Sequence, residues 1–376
     1  MSIAEIKHRV RVPLNALDRH HAASSTYLGI MADFLADSRF IHGSRHACFE
    51  REFASYCGAR TAFGVANGTD AIEIALRALE IGPGDEVITV ANAGFYTSTA
   101  CFCIGAVPVY ADIDPAELTM CPQSAAQCVT RSTKALVATH LYGKMADIEQ
   151  LMELCSRHGI PLIEDCAQAH GAERCGRKAG AWGTAGTFSF YPTKNLGALG
   201  DGGAVTTSDD SFAERVRLVR QYGWTTKYEC VMTGRNSRLD ELQAAFLCDK
   251  LPMLDSWNRR RREIVRCYHE AARGQLRVVH GDSGNDYAGH LAVARHPARN
   301  EVRHLLNDEG IETAVHYPIP DHRQPCLAKL RWRAGSLSNT EDAAAEIFSL
   351  PCFPEMTEEE VDRVCYALVR VGREIG

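Results

Sequence analysis

The clearest pattern in the sequence is an alternation between two hydrophobic periods, which runs from about residue 60 to residue 255. In "NGTDAIEIALRALEIGPGDEVITVAN", apolar residues first recur every three or four positions and then form one short run. This predicts a helix capped by Thr69 or Asp70, ended by Gly82–Gly84 and followed by a buried strand. The stretches "ALVATHLYG", "KMADIEQLMELCSRHG" and "IPLIED" then predict strand, helix and strand. Such a β-α-β unit implies a parallel sheet with right-handed crossovers.

The pattern changes beyond residue 255. A long helix precedes several short segments and a last helix, "TEEEVDRVCYALVRVGREI", where Thr357 and Glu360 have the spacing of a capping box. A chain of 376 residues is long for one typical domain. We therefore predict a large α/β domain at 30–255 and a smaller C-terminal α+β domain at 256–376, against which residues 1–29 could pack.

Composition and charge exclude several classes of protein. Hydrophobic residues make up 45% and charged residues 23%, and the net charge of -6 argues against non-specific binding to nucleic acid. The basic run Arg259–Arg262 lies in a predicted amphipathic helix, which favours a solvated or interface face. No apolar stretch reaches the length of a membrane span, and the N-terminus lacks the apolar core of a signal peptide.

The cysteines indicate a compartment rather than a metal. There are fifteen, scattered singly and without a CxxC pair, as expected for small buried residues in a reducing environment. We therefore expect a cytoplasmic protein. No group of histidines and carboxylates has the sequence spacing of metal ligands, so no metal site is predicted.

One lysine has unusual surroundings. In "SFYPTKNLGALGDGGAV", Lys194 follows Pro192 and Thr193 and precedes a glycine-rich run, between two apolar stretches. A solvated lysine would need no such surroundings. A lysine that acts as a nucleophilic amine needs a fixed backbone and close access to a ligand.

Other candidate residues follow predicted strands or open a helix. Ligands of open α/β sheets gather at the carboxyl ends of the strands, where Asp165 and Gln168 lie in "IEDCAQAHG". Asp165 could be a helix cap, a metal ligand or the counter-ion of a cationic ligand. In "NGTDA", the N–H groups of Gly68 and Thr69 could bind a phosphate at the start of a helix, although a plain turn explains them equally well.

Aromatic and histidine residues add weaker signals. Phe95 in "ANAGFYTS" could present a ring to a ligand or pack in the core, and His170, His316 and His322 are first interpreted as structural. Combined, a reactive lysine, an aspartate, an anion-binding helix start and an aromatic ring are the parts that hold pyridoxal phosphate. The lysine would form a Schiff base with the aldehyde, and the aspartate would pair with the pyridinium nitrogen.

The chain resembles the DegT/DnrJ/EryC1/StrS sugar aminotransferases, a branch of the fold-type I pyridoxal-phosphate enzymes. The matching motifs, in family order, are "FEREFASYCGAR", "NGTDAIEIALRALEIGPGDEVI", "VYADIDP", "HLYGKMADIEQL", "IEDCAQAHGA", "GTFSFYPTKNLGALGDGGAV", "GRNSRLDELQAA", "HYPIPDHRQP" and "FSLPCFPEMTEEEV". The resemblance implies an aspartate-aminotransferase-like fold, with a large α/β domain around a mostly parallel sheet and a smaller C-terminal α+β domain.

The same resemblance implies roles for individual residues. Lys194 becomes the Schiff-base lysine, Asp165 the partner of the pyridine nitrogen and Gln168 the neighbour of the phenolic oxygen. Phe95 takes the position of the ring that stacks on the cofactor, although the usual proline of that motif is replaced by Ala91.

The phosphate-binding positions of the family match Gly68, Thr69 and Ser189. Asn236, in "GRNSR", matches an asparagine that reaches the phosphate of the other subunit. The resemblance therefore implies a homodimer with shared active sites.

The implied reaction moves an amino group from L-glutamate to a keto group of a dTDP-, GDP- or UDP-linked keto-deoxysugar. Pyridoxamine phosphate carries the amino group between the two halves of the reaction, and Lys194 shuttles the proton. The run "VHYPIPDHRQP" resembles that of family members that aminate C3. It makes His316, Tyr317 and His322 candidate substrate contacts.

Three other functions remain to be weighed. Family members that dehydrate sugars replace the lysine with histidine, whereas this chain retains Lys194. A non-catalytic regulator that binds pyridoxal phosphate would call for a DNA-binding segment, and neither a helix-turn-helix pattern nor a basic arm is visible. A nicotinamide dehydrogenase needs G-x-G-x-x-G after its first strand, but the glycines here are spaced differently and follow Lys194.

Overall fold

The computed structural model describes residues 11–20, 24–274 and 276–375, which form a large sheet, a smaller sheet and flanking helices. The strands are β1 (Thr61–Val65), β2 (Glu86–Val90), β3 (Val107–Ala111), β4 (Thr133–Thr139), β5 (Leu162–Asp165), β6 (Glu173–Arg174), β7 (Arg177–Lys178), β8 (Ala185–Ser189), β9 (Gly203–Thr207), β10 (Trp224–Thr226), β11 (Glu229–Cys230), β12 (Arg277–Val278), β13 (Ala292–Arg295), β14 (Arg333–Ala334) and β15 (Ile347–Leu350). The α-helices are α1 (Leu17–His20), α2 (Ser24–Asp37), α3 (Ser44–Cys57), α4 (Gly68–Ala78), α5 (Tyr96–Cys103), α6 (Pro122–Cys128), α7 (Ile148–His158), α8 (Asp210–Val219), α9 (Glu241–Lys250), α10 (Leu254–Ala272), α11 (Arg299–Asp308), α12 (Ser338–Glu346) and α13 (Glu358–Ile375).

The large sheet has eight strands in the order β1-β9-β8-β5-β4-β2-β3-β14. Neighbours from β8 to β14 are parallel, whereas β9 is antiparallel to both β8 and β1. Helices α4, α5 and α8 cover one face, and α3, α6, α7 and α9 cover the other. The predicted β4-α7-β5 unit is confirmed, and the carboxyl ends of β2, β4, β5 and β8 lie along one edge of the sheet.

Two helix starts differ from the prediction. Helix α4 begins at Gly68, and its cap is the side chain of Asn67, which accepts a hydrogen bond from the Asp70 N–H at 2.8 Å. A capping side chain must precede the first helical residue, so Thr69 lies in the first turn instead. Helix α7 begins only at Ile148, because residues 141–143 first form a 3₁₀ turn.

The smaller sheet, β12-β13-β15, is antiparallel and has a core of its own with α10, α11 and α13. Residues 11–20 pack on this core: Val12 pairs with Ile311, and the Arg19 guanidinium donates to both oxygens of Glu360 at 2.8 Å. Tyr27 of α2 instead packs against Phe246 of α9, with 5.2 Å between the ring centroids. Strand β14 of the C-terminal part instead joins the large sheet. The division at residue 255 stays a prediction.

Features that bear on location are few. All fifteen cysteines are free thiols. Among the described residues, no helix combines the length and the apolar character needed to cross a membrane. The cytoplasmic location stays a prediction.

The large core contains a cluster of phenylalanine rings under the candidate lysine loop. Phe53 is fully buried, and its ring centroid lies 5.3 Å from that of Phe49, 4.9 Å from Phe188 and 5.2 Å from Phe190. Replacing Phe53 with alanine should lower the free energy of unfolding by about 3–5 kcal/mol, because it leaves a cavity among rings that cannot all move in. Urea denaturation at a fixed protein concentration measures the loss.

Tyr366 offers a matched control, since its ring is 57% exposed. The Tyr366→Ala change should stay within about 0.5 kcal/mol of the wild type. A loss for Phe53→Ala as small as that of the control would contradict the role of this cluster.

Candidate active site

A cavity of about 720 Å³ lies at the carboxyl edge of the large sheet, beside the smaller sheet. This volume is typical of sites for organic ligands. It brings together most of the residues predicted from the sequence: Gly68, Thr69, Asp165, Gln168, Ser189, Lys194, His316 and Tyr317. Residues at the ends of β5 and β8, the start of α4 and the C-terminal part therefore line one cavity.

Lys194 lies in the loop between β8 and β9, whose backbone is closely held. Its N–H donates to the carbonyl oxygen of Tyr191 at 2.8 Å. Further along, the buried Lys250 ammonium donates to the carbonyl oxygen of Gly197 at 2.8 Å. A Cβ on Gly197 would lie only 2.4 Å from the carbonyl oxygen of Pro192, so this close turn requires glycine. The loop thus gives Lys194 the fixed backbone that a reacting amine needs.

The amine of Lys194 is partly shielded from water by the cavity wall. This desolvation lowers its pKa from 10.5 to about 8, and the negative charge of Asp165 opposes the shift. A larger fraction of this amine is therefore neutral at neutral pH than for an ordinary lysine. Only the neutral form can attack a carbonyl carbon or accept a proton.

Asp165 ends β5, and its carboxylate is almost fully buried, with 5% of the residue exposed. It accepts hydrogen bonds from the Ala167 N–H at 3.1 Å and the Thr139 hydroxyl at 3.4 Å, both neutral donors. Burial raises the pKa of Asp165, while the Ala167 hydrogen bond and the charge of Lys194 lower it. A buried carboxylate of this kind gains most from a cationic partner, such as a pyridinium nitrogen.

The start of α4 and the end of β8 form another part of the cavity wall. A Cβ on Gly68 would lie 2.7 Å from the Cβ of Ser189, so glycine allows the helix start to approach the strand. The free N–H groups at Gly68 and Thr69 carry the positive end of the helix dipole, and Ser189 adds a hydroxyl. This set of donors suits a phosphate group.

The remaining wall is a hydrogen-bonded set of side chains. Gln168 accepts from the Tyr142 N–H at 2.5 Å and donates to the Tyr317 hydroxyl at 3.3 Å. The Tyr142 hydroxyl donates to the carbonyl oxygen of His316 at 2.7 Å, and the His316 ring lies 2.9 Å from the Ser349 hydroxyl. Burial raises the pKa of Tyr317 well above 10 and lowers that of His316, so both side chains are neutral.

The structure places the predicted stacking residue, Phe95, outside the cavity wall. Its side chain packs with Phe102, at 6.0 Å between ring centroids, and with the small cluster that contains Leu327. The aromatic side chain that lines the cavity is the next one, Tyr96. Phe95 has a left-handed backbone conformation, with φ of 71°, which turns the chain so that the two rings point to different sides.

Two other predicted residues lie away from this cavity. His322 is held at 2.9 Å from the Glu341 carboxylate, beside a different part of the C-terminal chain. Asn236 is exposed and pairs through its backbone with Gln221. His170 is fully buried, and burial lowers its pKa to about 3, as suits a structural histidine.

The sequence reading missed several residues of the cavity wall, including Asn15 and His290. The His290 ring lies 2.9 Å from the side-chain oxygen of Asn195, whose amide donates to Asn258 at 2.7 Å. A lone histidine in "GHLAVARH" carries no local signal. Asn195, which directly follows Lys194, is the residue whose position in the sequence indicated a polar partner near the lysine.

Two groups of side chains have possible metal-ligand atoms that lie close together, although no metal site was predicted from the sequence. They are Cys48, Glu52 and Cys248, and His140, Glu164 and Cys166. In the second group, the Glu164 carboxylate already accepts hydrogen bonds from three backbone N–H groups as well as facing His140 at 3.0 Å. Hydrogen bonds within the protein therefore account for this carboxylate.

A lysine and a buried carboxylate at the carboxyl edge of a mostly parallel sheet, in one cavity with a helix start, are the features expected of an aminotransferase of fold type I. The chain belongs to the DegT/DnrJ/EryC1/StrS aminotransferase family, which matches residues 25–369. The predictions of family, fold class and aminotransferase activity are confirmed.

Three similar proteins illustrate the family. The pleiotropic regulatory protein of Geobacillus stearothermophilus is 43% identical, covering 92% of this chain and 94% of that protein. The dTDP-3-amino-3,4,6-trideoxy-alpha-D-glucose transaminase of Streptomyces venezuelae is 42% identical, covering 90% of each. The crystal structure of NtdA from Bacillus subtilis with bound cofactor PMP has a TM-score of 0.90 at 30% identity, covering 98% of this chain and 87% of that one.

The lowered pKa of Lys194 can be measured in the cofactor-free protein. The rate at which its amine reacts with acetic anhydride, followed by mass spectrometry across pH, should rise with a midpoint near 8. Because the charge of Asp165 raises this pKa, Asp165→Asn should move the midpoint to lower pH.

Lys134, an exposed lysine on β4, serves as the internal comparison for reagent decay. A midpoint for Lys194 near the ordinary value of 10.5, or a rise in Asp165→Asn, would contradict the interpretation.

Proposed function

We propose that this protein transfers an amino group from L-glutamate to the C3 keto group of a nucleotide-linked keto-deoxysugar, with pyridoxal phosphate as cofactor. The observation that carries this proposal is the position of Lys194 and Asp165 in one cavity, whose far end is the start of α4. The name of the relative from Streptomyces venezuelae supports the nucleotide sugar and the C3 position.

The cavity fits the cofactor from both ends. When bound, pyridoxal phosphate supplies an aldehyde that takes up amino groups and a ring that withdraws electrons. Donors for its phosphate and a buried anion for its ring nitrogen line the same cavity. The residues proposed to hold it are Gly68, Thr69 and Ser189 at the phosphate, Asp165 at the ring nitrogen, Gln168 at the phenolic oxygen and Tyr96 against the ring face.

The reaction needs a group that takes a proton from the donor's carbon atom and later returns one. The Nζ atom of Lys194 suits this role, because its lowered pKa of about 8 lies close to neutral pH. Asp165 keeps the ring nitrogen protonated, since a buried anion stabilises a neighbouring cation. The two residues therefore divide proton transfer and charge stabilisation between them.

The substrate half of the cavity carries few charges. His316 and Tyr317 are neutral and line the wall opposite α4, where their hydrogen-bonding atoms suit sugar hydroxyls. His322, held by Glu341, is left out of the proposed contacts.

A homodimer would complete the site. Asn236 is exposed, and Tyr96 and Tyr191 in the cavity wall are 49% and 52% exposed. Large apolar side chains of α2 are also exposed, including Leu28 at 67% and Leu35 at 64%. Exposed apolar side chains of this size favour a protein partner. We propose that a second copy of the chain covers them and brings its Asn236 to the phosphate.

A regulatory role is the second candidate, because one relative is named a pleiotropic regulatory protein. A regulator could bind the cofactor as a ligand without using it in a reaction. The retained Lys194, with a pKa suited to proton transfer, favours the enzyme, and it also disfavours a dehydratase.

The proposal predicts that Lys194→Ala abolishes amino transfer. The purified protein, supplied with glutamate and dTDP-, GDP- or UDP-linked 3-keto and 4-keto sugars, should release 2-oxoglutarate only with a 3-keto sugar. In Lys194→Ala the rate should fall by about 10³-fold or more. Borohydride reduction and peptide mapping of the wild type should tag Lys194.

Lys134→Ala, at an exposed position, should leave the rate unchanged. Turnover in purified Lys194→Ala, or a tag on another residue, would exclude the assigned role. Cofactor binding without turnover on any sugar would favour the regulator.

Shared sites make a separate prediction. Asn236→Ala should weaken cofactor binding in homodimers, and Lys194→Ala homodimers should be inactive. After the two variants are mixed, unfolded and refolded together, half of the dimers carry one site with both residues intact. The mixture should regain about a quarter of wild-type activity. No regain, with dimers shown by analytical ultracentrifugation, would mean that Asn236 does not act across the interface.

A further inference from the structure

A buried aspartate from the C-terminal part holds the turn that leads into α5. Asp321 is 1% exposed, and its two carboxylate oxygens accept from the Phe95 N–H at 2.9 Å and from the Ser98 hydroxyl at 2.6 Å. Its own N–H donates to the carbonyl oxygen of Ala91 at 2.7 Å. One residue is therefore bonded to both ends of the turn at 91–98, although it lies more than two hundred positions further along the chain.

The turn needs such a partner. Phe95 caps α5 with a left-handed backbone, φ of 71°, and its side chain cannot accept a hydrogen bond. The left-handed region is unfavourable for a residue with a Cβ atom. A carboxylate at a helix start satisfies free N–H groups and interacts well with the helix dipole. Asp321 thus supplies, from another part of the chain, the cap that α5 lacks.

The first residue of α5 is Tyr96, whose ring lines the cavity. This ring lies 6.2 Å from the ring of Tyr317 in an edge-to-face arrangement. A Cβ on Gly94 would lie 2.8 Å from the Tyr317 ring and 2.9 Å from the Tyr96 ring, so the packing is tight. The segment 317–321 therefore contacts the Tyr96 ring at one end and holds its backbone at the other.

We propose that Asp321 is a positioning residue, which fixes Tyr96 against the ring of the cofactor and thereby sets the affinity for pyridoxal phosphate. This inference rests on the proposed function, because Tyr96 is the proposed stacking residue. Tyr96 is 49% exposed, so contacts within this chain hold only one side of its ring. A side chain already fixed before binding loses less conformational entropy when the cofactor arrives.

The network continues into the sheet. The Ser98 hydroxyl gives its hydrogen to Asp321 and lies 2.9 Å from the Tyr110 hydroxyl on β3. Burial raises the pKa of Asp321 to about 7, and the hydrogen bonds from Ser98 and Phe95 oppose the shift. The carboxyl group is thus shielded from water, and both of its oxygens are bonded to the turn that leads into Tyr96 and α5.

A double-mutant cycle tests whether Asp321 acts through Tyr96. The dissociation constant of pyridoxal phosphate is measured by visible absorbance for the wild type, Asp321→Ala, Tyr96→Leu and the double variant. Asp321→Ala should raise it about tenfold, the size expected for lost buried hydrogen bonds. In the double variant the constant should equal that of Tyr96→Leu alone, because coupled residues are not additive. The visible circular dichroism of the bound cofactor should change alike in both single variants.

Conservative variants guard against misfolding. Asp321→Asn keeps one acceptor for the Phe95 N–H and should restore part of the affinity, and Ser98→Ala, which removes one of the two bonds, should give an intermediate loss. Asp209→Asn is the matched control, because Asp209 caps α8 through the Ser211 and Phe212 N–H groups at 2.8 and 3.0 Å, away from the cavity. It should leave the dissociation constant unchanged.

The outcomes separate the two proposals. Wild type that binds pyridoxal phosphate, with Asp321→Ala and Ser98→Ala binding equally well, would overturn the role of Asp321 alone. Additive losses in the double variant would do the same, since they would place Asp321 outside any action on Tyr96. Wild type that does not bind pyridoxal phosphate would overturn the proposed function and this inference with it.

Discussion

Asp165 and Lys194 are two ionisable groups brought into one water-poor cavity, and their energies depend on each other. Burial raises the pKa of Asp165 and lowers that of Lys194, so each group is pushed towards its neutral form, while their mutual attraction opposes both shifts. The hydrogen-bond donors that the protein supplies to Asp165, the Thr139 hydroxyl and the Ala167 N–H, are both neutral. A bound cation would relieve the carboxylate and leave the amine free to react. The cavity is therefore suited to a cationic ligand by the protein's own charges.

This electrostatic arrangement depends on how closely the backbone segments approach. A Cβ on Gly203, at the start of β9, would lie 2.4 Å from the carbonyl oxygen of Asn67, just before α4. Glycine at this position lets β9 return beside the helix start after the loop that carries Lys194. The approach of the α4 start to β8 and β9 is thus set by two close contacts, at Gly68 and Gly203. Both are steric constraints, and a side chain at either position would move the helix start away from Ser189.

The sequence predicted the parts of this site that local pattern determines. Asp165 and Lys194 follow strands whose hydrophobic runs are clear, and the capping box of Thr357 and Glu360 forms with hydrogen bonds of 3.0 and 3.2 Å. The difference between Phe95 and Tyr96 could not be predicted, because it depends on a single left-handed residue held by a distant aspartate. The direction of His322 likewise depends on Glu341, on another helix. The pattern of hydrophobic and polar residues does not predict contacts between segments that lie far apart in the sequence.

These long-range contacts are concentrated in one half of the cavity. The half proposed to hold the cofactor comes from β5, β8, the lysine loop and α4, which all belong to the alternating pattern of the large sheet. The half proposed to contact the substrate comes from the N-terminal residue Asn15 and from His316 and Tyr317, whose positions follow from tertiary packing rather than from periodicity. Members of one family share their chemistry, so the residues of the first half should be similar in all of them. Their substrates differ, so the residues of the second half should vary from one member to another. Asp321 links these two parts of the wall, because it accepts a hydrogen bond from Phe95, next to Tyr96, and lies in the same segment as Tyr317. If the proposed roles hold, a change in this segment should alter how firmly the cofactor is held.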